Sequence, residues 1–75
     1  MDRRKRESLK QAISYIERAM ILSEIVLDKE SDCIDNYPEN LQGTETFEKM
    51  ENAVDCLNDA LESLEEAKDK IEEAM

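Results

Sequence analysis

Cys33, Cys56, the carboxylates of the second half and the run Arg3-Arg4-Lys5-Arg6 are the residues of this chain that could do chemistry. The two thiols could be nucleophiles or redox sensors, but nothing basic is adjacent in sequence to favour the thiolate. Both are expected as buried, small apolar residues. If the chain doubles back near residue 40, Cys33 stands opposite about residue 47. That is about nine residues, or about 13 Å, from the level of Cys56, too far for a disulfide. Two cysteines without a histidine cannot supply the ligand set of a structural zinc site. The same lack of histidine removes the commonest general acid–base group and the Glu-x-x-His motif of di-iron bundles. Acids of the second half, from Glu51 and Asp55 to Glu72 and Glu73, are spaced as a solvated face. They could attract divalent cations only weakly and without specificity. No catalytic residue, metal ligand or cofactor-binding residue is assigned, and no enzymatic activity is expected.

Arg3, Arg4, Lys5 and Arg6 form the one basic cluster. A basic run at a helix start opposes the helix dipole. It is expected as a solvated end that pairs with Glu72 and Glu73, with anion binding and membrane-surface anchoring as the alternatives.

These groups must be carried by helices. One Gly, one Pro and no Trp, with 40% charged residues, is the composition of long helical arms. Leu9, Ile13, Ile16, Met20, Leu27 and Ile34 recur at heptad spacing, interrupted by Ser23 and Glu30. Asp2 is the expected N-cap, and Tyr37-Pro38 ends the helix near residue 36. Pro38 opens a short turn that Gly43 closes, and Thr44 caps the second helix, with Thr46 competing. Met50, Val54, Leu57, Leu61, Leu64, Lys68, Ile71 and Met75 then step by four and three without a break. Glu30 and Lys68 occupy seam positions near the two ends, where they can reach water and set register.

The predicted architecture is a single all-α domain over residues 1–75. It is a long antiparallel helical hairpin: helix 1 about 2–36, a turn about 37–43, helix 2 about 44–75, each arm about 45 Å. Beside the seams run Ala12, Ala19, Val26 and Cys33 on helix 1, and Ala53, Ala60, Ala67 and Ala74 on helix 2. These rows are expected to line the contact and let the helices approach closely.

The stretch AMILSEIVL, residues 19–27, holds more apolar residues than a hairpin can use. With Ile16 at the centre of the inner face, Leu22 lies about 120° to one side, and Ile21 and Ile25 about 140–180° away. Ile21, Leu22 and Ile25 are therefore expected to form a self-association surface that turns two hairpins into a four-helix bundle. A helix or groove of a different protein is the alternative occupant.

Net charge is −10, of which residues 1–37 carry −1 and residues 38–75 carry −9. An acidic half opposes direct nucleic-acid binding. Charges inside the apolar runs exclude a membrane span and a secretion signal, so cytoplasmic residence with reduced thiols is expected.

The run Asn36-Tyr37-Pro38-Glu39-Asn40-Leu41-Gln42-Gly43-Thr44-Glu45, then Glu48-Lys49-Met50-Glu51-x-Ala53-Val54-Asp55-x-Leu57, resembles short uncharacterised phage- and prophage-type proteins of Gram-positive bacteria. Their turn reads N-x-P-E-x-L-Q and is followed by a helix of M-E-x-A-x-x-x-L repeats. The likeness covers residues 36 to about 67. It implies a mobile-element setting without an established activity, and a defined turn in which Tyr37 and Leu41 fold back on Phe47. The functional expectation is a non-enzymatic, acidic binding or accessory protein acting as a homodimeric bundle. One alternative is a phage-type inhibitor that offers its acidic face to a host defence or nucleic-acid enzyme. Another is a binder that sequesters an anionic small molecule on paired Arg3–Arg6 clusters.

Overall fold

The computed structural model describes all residues, 1–75, and it is an all-α hairpin without strands. Helix α1 runs Arg3–Asp35, a single 3₁₀ turn spans Glu39–Leu41, and α2 runs Glu45–Ala74. The ends are set by the residues that the sequence marks. The Asp2 carboxylate accepts a hydrogen bond from the Lys5 backbone N–H at 2.9 Å, which satisfies one free donor of the first turn. At the other end of α1, the Asn36 side-chain amide donates to the Asp32 carbonyl at 2.8 Å. Pro38, held at φ −58° and ψ 135°, then turns the chain out of the helix. The hydroxyl of Thr44 accepts from the Phe47 N–H at 3.3 Å and donates to the Leu41 carbonyl at 2.7 Å. It thus ties the start of α2 to the 3₁₀ turn, and Thr46 takes no part. Gly43 supplies the one positive φ, +91°, between them.

The two helices pack along their seams. Leu9, Ile13, Ile16, Met20, Ser23, Leu27, Glu30 and Ile34 of α1 are partly covered. So are Met50, Val54, Leu57, Leu61, Leu64, Lys68, Ile71 and Met75 of α2. Yet Phe47 is the sole buried residue of the 75. Its ring lies 5.3 Å from that of Tyr37, tilted by 41°, an edge-biased aromatic pair that closes the turn end of the seam. The body measures 59 × 15 × 13 Å with a radius of gyration of 17.2 Å. A compact domain of this length would have a radius near 11 Å. The molecule is a rod two helices thick, with a seam in place of an interior.

Several expectations are corrected by that thinness. Val26, Cys33, Ala60, Ala67 and Ala74 do not line the contact; they are exposed, and only Ala12, Ala19 and Ala53 are partly covered. One residue turns a helix by about 100°, and a single neighbouring helix does not reach that far round. For the same reason Cys33 and Cys56 are exposed, not buried, and both are free thiols. Leu41 also stays exposed, so Tyr37 alone of the expected pair packs on Phe47. Tyr37 stands beside Phe47, and Lys68 beside Glu17–Glu24, which puts the turn centre near residue 42 and not 40. Cys33 therefore stands level with about residue 51. Lys68 lies against the middle of α1, in a shallow groove with Glu17, Met20, Ile21 and Glu24.

Candidate interaction surface

With no enclosed interior, any function of this rod is carried on its outside. Met1–Ser8 are exposed throughout. Arg3, Arg4, Lys5 and Arg6 are consecutive in a helix, so only Arg3 and Arg6, about 60° apart, share a face, and the four do not converge on one anion. The ion pairs are all local and exposed: Lys10–Glu7, Lys49–Glu45 and Lys70–Glu73. Arg3–Arg6 do not pair with Glu72 and Glu73 as expected. In the observed register those two acids stand level with about residues 11 and 12, and the basic run lies beyond them. A shallow open groove beside Met1, Arg4, Lys5, Ser8 and Leu9 is lined by α1 alone. No three His, Cys, Asp or Glu side chains are grouped to hold a metal ion. No helix is long and apolar enough to cross a membrane.

What the surface does offer is apolar area in the middle of α1. Ile21 and Leu22 are each 58% exposed, Ile25 46% and Val26 49%. Tyr15 is also exposed, its hydroxyl accepting from the Gln11 amide at 3.1 Å. The structure leaves Ile21, Leu22 and Ile25 uncovered, but they do not share one direction. Leu22 turns to the side of the seam on which Tyr15 and Val26 lie. Ile21 turns to the opposite side, into the groove beside Lys68, and Ile25 points straight away from α2.

The sidedness extends to the whole rod. Ala12, Tyr15, Ala19, Leu22, Val26, Lys29 and Cys33 each stand one residue before a seam position of α1. Ala53, Cys56, Ala60, Ser63, Ala67, Lys70 and Ala74 stand one residue before a seam position of α2. The helices are antiparallel, so a displacement of one residue in the same sense on each arm brings both rows to the same long side. Neither row contains an acid. Residues one step after the seam occupy the other long side: Glu17, Glu24, Asp28 and Asp35 from α1, with Glu51, Asp55, Glu62, Glu65, Asp69 and Glu72 from α2. The hairpin thus has an acid-free side and an acid-rich side.

Tyr15 and Leu22 lie to one side of the inner face, as their helical angles predict. Val26, Ala60, Ala67 and Ala74 are the surface residues that the sequence does not reveal, because their strict seven-residue spacing points equally to the hairpin's own contact. No family model matches this chain, and neither curated proteins nor solved structures yield a match.

Proposed function

We propose that this chain is a small acidic binding protein of mobile-element type that acts as a homodimeric four-helix bundle and carries no catalytic activity of its own. One observation carries the reading. A single residue of 75 is buried, while Tyr15, Ile21, Leu22, Ile25 and Val26 remain exposed in the middle of one helix. Two helices bury too little apolar surface for a secure fold, and doubling the hairpin adds apolar burial along the exposed middle of α1. The resemblance of the turn, Asn36 to Gln42, to prophage-type proteins supports the mobile-element setting. Sedimentation equilibrium tests the dimer: the expected mass is twice the 8.7 kDa of the chain. A fully helical monomer at all accessible concentrations would overturn it.

The acid-rich side favours a second reading, in which the protein occupies a basic groove of a host defence or nucleic-acid enzyme. Carboxylates from both helices run along this one side for most of the rod's length, as phosphates line a duplex. Capture from host lysate at low salt, lost at moderate salt and lost in the Glu62→Lys, Asp69→Lys variant, is the expected outcome. Capture that persists in that variant removes the acidic side from the account.

A further inference from the structure

We infer that the dimer of the proposed function, on which this inference rests, forms by packing the acid-free side of one hairpin on the same side of a second copy. Tyr15, Leu22 and Val26 of α1 then complete the bundle core, against Ala53, Ala60 and Ala67 of α2.

Charge decides which side can do this. A chain of net charge −10 repels its own copies. Two acid-rich sides cannot face each other, whereas neither row of the acid-free side brings a carboxylate to the contact. Its lysines, Lys29, Lys49 and Lys70, stand at the outer margin of the rows, and two of them already turn to acids of their own helix, Lys49 to Glu45 at 3.4 Å and Lys70 to Glu73 at 3.2 Å. Glu30 belongs to the seam, where it is partly covered.

Shape agrees with charge. Both rows repeat every seven residues in step with the seam, so their natural counterpart is another pair of helices of the same period. The alanines of α2 leave shallow places into which the larger side chains of the partner's α1 can fit. The paired part of the rod is about 40 Å long and two helices, about 20 Å, across. That makes about 800 Å² for each copy, the area that a stable complex of standard size uses. A two-fold operation satisfies this, since one self-complementary side meets itself and the assembly closes. Ile21 and Ile25, on the other two faces of α1, stay outside the contact.

The test compares three variants by sedimentation equilibrium and circular dichroism at micromolar concentration. Wild type is expected as a dimer. Leu22→Lys with Val26→Lys places charge in the contact and should yield monomer, a loss of affinity of at least about a hundredfold. Ala60→Glu reaches the same contact from the other helix. It sits at an exposed position and swaps one good helix former for another, so the hairpin's own seam is left untouched. It too should weaken the dimer by at least about a hundredfold. Ile21→Lys with Ile25→Lys should remain a dimer. If that pair dissociates while Ala60→Glu stays dimeric, the contact lies elsewhere on α1 and the acid-free side is rejected, although the dimer stands. A monomeric wild type overturns the side and the dimer together and leaves the surface to a different protein.

Discussion

The two ends of the hairpin begin with the same device and differ in what it is attached to. At each, a side-chain oxygen caps a long helix by accepting the N–H three residues on: Asp2 from Lys5 at 2.9 Å, Thr44 from Phe47 at 3.3 Å. Beyond Asp2 come residues with nothing opposite them, exposed through Ser8. Beyond Thr44 comes Phe47, the one buried side chain, packed against Tyr37, and the Thr44 hydroxyl itself donates to the Leu41 carbonyl of the 3₁₀ turn. A local hydrogen bond contributes to global stability only when the segment it orders is coupled to the rest. The turn end should therefore govern the stability of the whole molecule, and the open end should govern only itself.

The largest effect is expected at Phe47. Phe47→Ala removes the only closed contact and should cost about 3–4 kcal/mol, seen as loss of most of the cooperative melting transition of helicity. Next is Thr44→Ala, which removes both hydroxyl hydrogen bonds and should cost about 1–2 kcal/mol in denaturant titration at fixed protein concentration. Gly43→Ala should cost about 1 kcal/mol. The added methyl meets nothing within 4 Å, so the whole effect comes from the backbone at φ +91°. Asp2→Ala should cost the least, a few tenths of a kcal/mol at most. Hydrogen exchange should show faster exchange confined to the first two turns of α1. If Asp2→Ala matches Thr44→Ala in the global transition, the two ends are coupled alike and the contrast fails.

Much of the fold was written locally. Asp2, Pro38, Gly43 and Thr44 each act within four residues, and the heptad residues of both arms give the facing stripes directly. The spans of both helices follow from these. What was not legible depends on three-dimensional neighbours. A residue such as Ala60 has a definite angle on its helix, but its burial depends on how many helices surround it. The rod has two, so the alanine rows face water. Register depends on which residues meet across the turn: Tyr37 beside Phe47 moves the turn centre by about two residues and leaves Arg3–Arg6 without Glu72 and Glu73. On the candidate surface, the excess around Ile21, Leu22 and Ile25 was visible as an amount. The turn of Leu22 to one side is legible from its helical angle, whereas the seat of Ile21 beside Lys68 depends on the other helix.

The placement of Phe47 against Tyr37 at the turn, with both termini at the opposite end, also has a mechanical consequence. A load applied between residues 1 and 75 pulls the two arms apart at right angles to the seam, and it meets the contacts one level at a time. Leu9 and Met75 part first, then each heptad layer in turn, while the Tyr37–Phe47 clasp bears force last. Such a geometry peels at low, nearly constant force and re-closes from the clasp outward when released.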